Sequence, residues 1–325
     1  PSRAIIYRIE TMLVYTVRRL GLTIVILLVT MTLLFSMVYL VPGDPASIAL
    51  GPRATAAMKA AFRERMGLDD PLLVQLWTFI SNVLRGDLGI DVWSNRSVAQ
   101  IVLEAMPYTL ALTGVGLGWA VVTGIPLGAW SAVSRNSWAD RLIGVLAVSA
   151  IAIPSFIVAI YSLLIFAVWL KWLPAIGAGD QGDLNDQLVH LLLPAFAVGL
   201  GWVGYIARMV RASMLEVMGE NHVRTARAFG LPEQRILFRY ALPIAILPTI
   251  ALLGVGIGNL LSGAVFAEIV FARPGVGKLT YDAVITRNYP VVMGSVLITT
   301  AFYAACTLAA DLVAAWLDPR VRASL

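Results

Sequence analysis

The chain has 325 residues, 59% of them apolar and only 13% charged, with a mean hydropathy of +0.83. A soluble domain carries about 25% charged residues, so a water-soluble globular protein is excluded. The single cysteine, Cys306, excludes an intrachain disulfide framework and a cysteine-bearing metal cluster.

A helix needs about 20 apolar residues to cross a hydrocarbon core of about 30 Å. Six runs reach that length: Leu20–Val41, Leu110–Val133, Leu142–Leu170, Leu191–Ala207, Pro243–Phe266 and Val291–Leu317. The sequence thus predicts an all-α integral membrane protein of about six transmembrane helices. Pro154 predicts a tilted or kinked third span. The short fourth span is expected to continue as helix through Arg208 and Arg211. The first run is too long for the apolar core of a cleavable signal, so none is expected. Gly114, Gly116, Gly118, Gly124 and Gly128 in the second span, and Gly254, Gly256, Gly258 and Gly263 in the fifth, predict close helix packing.

Six spans place both termini on one side, and basic residues choose the side. With cytoplasmic termini, the inner segments hold 14 of the 24 Lys and Arg residues and six acids, whereas the outer segments hold ten basic and twelve acidic residues. Asp311 alone falls within a span, where pairing with a basic group is expected. Both termini are therefore expected inside. The net charge of +5 reflects topology, and nucleic acid is not expected as a partner.

The inner loop after the fourth span carries helix punctuation. Asn221 suits a helix start, Gly230 the left-handed position past a helix end, and Pro232 with Glu233 the first turn of a second helix. The intervening helix, about eight residues, is too short to be stable alone and needs a partner surface. Val223, Ala226 and Phe229 form an apolar stripe flanked by Arg224 and Arg227. Docking into a protein and lying on lipid headgroups both fit this pattern.

This segment resembles the EAA loop of ATP-binding-cassette (ABC) importer permeases. Gly230 stands at the family's glycine and Leu242-Pro243 at its Leu-Pro, while Arg224-Thr225-Ala226 replace Glu-Ala-Ala, a departure found in the dipeptide/oligopeptide branch. Pro42-Gly43-Asp44-Pro45, Met66-Gly67-Leu68-Asp69-Asp70-Pro71, Arg85-Gly86-Asp87-Leu88-Gly89, Ile153-Pro154-Ser155, the stretch Phe266–Gly277 and Leu317–Arg322 agree with that branch, from about Met12 onward.

The resemblance implies a type I importer permease in the bacterial cytoplasmic (inner) membrane. It would have a cytoplasmic N-terminal segment (1–19), a first transmembrane helix (20–41) and a periplasmic loop or platform (42–109). A five-helix core (110–317) with its cytoplasmic coupling loop (208–242) and a cytoplasmic tail (318–325) would follow. The implied partners are a second permease subunit, two cytosolic ATPases, a solute-binding protein and membrane lipid. ATP and Mg would sit on the ATPases, leaving this chain without cofactor or catalysis. His222, Val223, Arg224, Thr225, Ala226, Arg227, Ala228, Phe229, Gly230 and Leu231 would couple to an ATPase. Asp44, Asp69, Asp87, Arg273 and Tyr289 would face the binding protein, although a lid over the bundle also fits the outer loop. Cargo in this branch ranges over dipeptides, longer peptides, glutathione, nickel chelates, opines and oligosaccharides.

Ala272–Thr280 superficially matches a phosphate-binding loop, but Ala272 and Leu279 occupy positions that need glycine and a hydroxyl. His190 and His222 are expected on opposite sides of the membrane, and no Gly-x-Ser or His-Glu-x-x-His occurs, which disfavours an intramembrane enzyme. An ion-coupled secondary transporter is the remaining alternative, weakened by the lack of charge in the spans.

Overall fold

The computed structural model describes residues 2–40, 46–47 and 55–317, with the main chain alone at 2–15, 37–40, 65–66, 251, 254–255, 259, 311 and 313–317. The Pro42-Gly43-Asp44-Pro45 motif, the side chain of Asp311 and the tail from Asp318 lie outside what it describes. The helices are α1 (Ser2–Leu40), α2 (Ala56–Met66), α3 (Leu72–Leu84), α4 (Val98–Val133), α5 (Trp138–Ala152) and α6, which runs as Ser155–Ser162 into a π-helical stretch Leu163–Trp169. Then come α7 (Leu184–Val217), α8 (Asn221–Ala228), α9 (Glu233–Ile236), α10 (Leu247–Val270), α11 (Val276–Ile285) and α12 (Tyr289–Leu317). Among the described residues, four are long and apolar enough to cross a membrane, and α5 with α6 makes a fifth if that bent pair is one span. The expected fifth span falls on α10, whose described apolar stretch is the shorter Gly256–Val270.

The chain divides into two compact units, Pro1–Pro107 with Gly275–Ala305 and Tyr108–Pro274 with Cys306–Leu325. In the first, Met31, Leu34 and Leu297 form a buried cluster against Phe79, Ile80 and Val83 of α3. The sequence Gly67-Leu-Asp-Asp-Pro71 is a helix stop followed by a helix start. Gly67 takes φ +60°, and the N–H groups of Gly67 and Leu68 return to the carbonyls of Glu64 and Arg63. Gln75 is buried and donates to the carbonyls of Leu68 and Asp70 (3.0 and 2.7 Å), fixing the turn.

In the second unit, α4, α5, α6 and α10 pack around α7. A methyl group on Gly128 would stand 2.5 Å from the Ala207 carbonyl oxygen, and one on Gly204 would overlap the Ala147 carbonyl. Small residues here let helix backbones touch, the main source of association where hydrocarbon removes the hydrophobic drive. Helices α4 and α7, with 36 and 34 residues, are about 54 and 51 Å long. Both exceed the expected spans, and α7 continues through Arg208 and Arg211 as its charge pattern predicts.

The third span departs furthest from expectation: α5 and α6 meet at 100°. Pro154 lacks the N–H that would continue α5 and crowds the preceding turn. The pair nonetheless follows α7 from end to end. Asp140 bonds Arg211, the carbonyls of Ala147 and Ala150 lie beside Gly204 and Gly201, and Val158 and Ala159 cluster with Leu193 and Ala197. Leu193 and Arg211 are about 27 Å apart along α7, close to the hydrocarbon thickness. The pair is therefore one broken span, not a loop returning to its starting side.

Gly128→Val tests the helix contact. Overpacking costs about 1–3 kcal/mol, so the detergent-purified protein should melt several degrees lower, whereas Gly144→Ala, at a glycine with open space around it, should melt as wild type.

Candidate functional site: the loop between α7 and α10

The loop after α7 begins with a tight turn, in which Gly219 and Glu220 N–H groups return to the carbonyls of Glu216 and Val217. Helix α8 follows. Its N-cap is Glu220, which supplies no side-chain bond, and Asn221 is the first helical residue. The expectation that Asn221 caps the helix is thus corrected by one position. The C-terminal end forms as the sequence predicts. Gly230 takes φ +74°, its N–H meets the Arg227 carbonyl (2.9 Å), and the Leu231 N–H meets the Ala226 carbonyl (3.3 Å). These two bonds satisfy carbonyls that a helix end otherwise leaves open.

The expected apolar docking stripe does not form as one surface. Val223 and Ala226 are fully buried, at 0% and 5% exposure, while Phe229 is 81% exposed. The first two lie on the inner face of α8 and join a core built from Val210, Met214 and Val217 of α7, Ala129 and Ala132 of α4, and Ile236. Phe229 sits past the helix, where the reversal at Gly230 turns it outward. The partner surface that an eight-residue helix needs is therefore supplied by this chain's own spans. Arg224, Thr225, Arg227, Ala228, Phe229 and Gly230 form the exposed rim, with His222 and Leu231 half-buried.

One ion pair and one histidine–carboxylate contact hold this region. Arg227 donates to both oxygens of Glu233 (2.7 and 3.3 Å), joining α8 to α9. That hydrogen bonding holds the Glu233 carboxylate below its ordinary range and raises the Arg227 guanidinium. His222 Nδ1 lies 3.1 Å from Glu220 Oε2. Beyond α9, a π-helical turn Leu237–Ala241 runs into Leu242–Ala245. Pro243 has no N–H for the Arg239 carbonyl, which accounts for the widened turn.

Behind the loop lies a constellation that sequence reasoning missed. Arg211 grips Asp140 with two parallel bonds (2.7 and 2.8 Å), and Asp140 also accepts from the Ser131 hydroxyl and the Asn136 N–H. Asp140 is 6% exposed. This knot ties the end of α4 and the start of α5 to α7, about 9 Å before α7 ends.

The residues expected to face a binding protein scatter. Asp69 is exposed beside Arg63 (3.7 Å). Asp87 is exposed and accepts the Gly89 N–H (2.9 Å), in a turn lying against Pro290 next to half-buried Tyr289. Asp44 lies outside the described residues. Arg273 is corrected: at 3% exposure it is buried, stacked on the Tyr108 ring at 5.7 Å. Burial pulls its guanidinium below the ordinary value, opposed by Glu268 and Tyr108. Glu268, expected outside, is fully buried in α10 and accepts the Thr109 hydroxyl (2.6 Å). In the phosphate-loop lookalike, Gly275 caps α11, and Lys278 pairs with Asp282.

Residues 124–323 match the family described as binding-protein-dependent transport system inner membrane component, and residues 12–113 match its N-terminal membrane component. The chain belongs to that family. It is the membrane-embedded permease of a binding-protein-dependent ABC transporter of the bacterial inner membrane. It is 40% identical over 312 residues to the glutathione transport system permease protein GsiC of Pectobacterium atrosepticum, covering 96% of this chain and 99% of the relative. To GsiC of Escherichia coli K12 it is 37% identical over 311 residues, with the same coverage. Inward-facing structures of the MetNI methionine ABC transporter superpose with TM-scores of 0.53 and 0.55 at 20% and 18% identity, covering 67% of this chain and 97% of theirs. These confirm the type I permease fold.

Gly230 and Ala226 now carry distinct predictions for this permease. A left-handed residue costs about 1–2 kcal/mol without glycine, so Gly230→Val should cut uptake about tenfold while Gly230→Asn retains most of it. Ala226→Asp would bury an unpaired charge, so it should lower the melting temperature and accumulation, measured by fluorescence-detected chromatography.

Proposed function

We propose that this permease imports short peptides of the glutathione class, and that the exposed rim of α8 receives the motion of a cytosolic ATPase. The observation carrying the proposal is the two-sidedness of α8: Val223 and Ala226 are locked into the span core, while Arg224, Thr225, Arg227 and Phe229 face outward. A helix fixed on its inner face and free on its outer face moves its spans when it is moved. Phe229 gives that face one large apolar group, of the kind that dominates docking energetics, with basic residues at its edge.

Identity to glutathione permeases over nearly the whole chain supports the cargo class. The chain performs no catalysis in this reading. ATP and Mg bind two ATPase subunits, a second permease completes the path, and a solute-binding protein delivers cargo to the side carrying Asp69, Asp87 and Tyr289. Both termini lie in the cytosol. Exposed Trp130 and Trp138 at the end that holds Asp140, with exposed Trp169 and Trp172 at the far end of the broken span, match the paired aromatic belts of a spanning bundle.

Two measurements test the reading. With Cys306→Ser as background, Ala178→Cys should react with an impermeant maleimide in intact spheroplasts and Ser137→Cys only after lysis; the reverse pattern would overturn the orientation. Phe229→Ala should leave the melting temperature within about 1 °C while cutting ATPase co-purification at least fivefold, and full co-purification would remove α8 from the interface.

A further inference from the structure

The broken span leaves main-chain groups open in the middle of the bundle. The Ile153 N–H closes the last turn of α5 on the Ser149 carbonyl (3.1 Å), and α6 begins with the Ile157 and Val158 N–H groups both aimed at the Pro154 carbonyl (3.0 and 3.3 Å). Between them Pro154 has no N–H to give. The carbonyls of Ile151, Ala152 and Ile153 have no hydrogen-bond partner among the described residues, and all three residues are exposed. Gly201, beside the Ala150 carbonyl, is about 15 Å from Arg211 along α7, which puts the break near mid-membrane.

Open main chain at that depth is not tolerated against lipid; it occurs where it is buried in protein or lines a water-filled cavity. A cavity of about 270 Å³ lies at the break, lined by Ile151, Ile153, Pro154 and Ser155, with Trp202 and Tyr205 on α7. Gly201 and Gly263 leave its far wall without side chains, and a methyl on Gly263 would stand 3.5 Å from Ser155 Oγ. The volume approaches the lower end of small-molecule pockets, about 300–1,000 Å³, enough for part of a short peptide. Unwound main-chain carbonyls and half-helix C-terminal ends at the membrane midplane are a recurrent way of coordinating cations in transporters.

We propose that this cavity is a cargo subsite on the translocation path. The carbonyls of residues 151–153 and the Tyr205 hydroxyl take the ammonium or amide N–H donors of a peptide-like solute, and Trp202 and Ile153 pack against its apolar portion. The subsite rests on the permease reading and adds to it a place in this chain where cargo is handled after release from the binding protein.

The test uses the full transporter, with sister permease, ATPases and binding protein, in proteoliposomes, and radiolabelled glutathione and trialanine as probes. Ile153→Trp, made from an exposed position, fills the cavity and should lower uptake of both probes at least tenfold, with ATPase stimulation by loaded binding protein retained. Leu146→Trp, exposed on the same helix but away from the cavity, should transport as wild type. Undiminished uptake by Ile153→Trp overturns the subsite. As a second arm, Ile153→Cys in the Cys306→Ser background should react with a water-soluble maleimide, and more slowly during turnover with either probe. No reaction, with or without ATP, would place the break against the sister chain or lipid and also overturn the proposal. A wild-type transporter that moves neither probe overturns the peptide-import reading itself, a result separate from normal wild-type uptake that Ile153→Trp leaves unchanged.

Discussion

A peptide group inside hydrocarbon has no water to turn to, and the architecture follows from where that demand is met. Most of the chain meets it by helix, and the long elements α4, α7 and α12 run without interruption. Two departures from regular helix fall at prolines. Pro243 widens a turn into a π-helical stretch whose other bonds survive. Pro154 opens a complete gap, and the gap coincides with a cavity. A defect of several unmet hydrogen bonds persists only where something else repays it, which is why the broken span is more informative about function than any intact one.

The same economy explains the cytoplasmic loop. An eight-residue helix has too few internal bonds to hold itself together in water. Its inner side chains instead complete a core begun by α4 and α7, while the Gly230 turn closes its open carbonyls and the Arg227–Glu233 pair fixes its angle to α9. Close by, Arg211 and Asp140 clamp three helix ends through four hydrogen bonds. A displacement applied to α8 therefore passes into packed side chains within a few ångströms, with no slack loop to absorb it.

The sequence was legible where the signal is local. Apolar run length located the spans, Gly67 and Gly230 marked left-handed helix stops, and Gly124 and Gly128 announced close packing. It misled where facing must be inferred from spacing. Val223, Ala226 and Phe229 recur every third residue, yet a helix that ends between the second and third sends them to opposite sides. It was silent on pairings across the chain: nothing in Asp140 points to Arg211, 71 residues away, and Thr109 with Glu268 are 159 apart. Arg273 read as a surface charge because no single sequence reveals that Tyr108 covers it. Pro154 was visible, but its effect depended on α7 holding both halves of the span.

The division of α8 into a shared inner face and a free outer one has a consequence for how such transporters diversify. Positions 223, 226 and 236 are committed to the bundle and cannot vary without repacking α4 and α7. Positions 224, 225, 228 and 229 carry no such obligation. With an ATPase docked on α8 as proposed, partner choice is confined to a short patch whose residues can drift independently of the translocation machinery. A duplicated transporter could acquire its own ATPase by changing a handful of exposed side chains, and its cargo path would inherit no disturbance from the exchange.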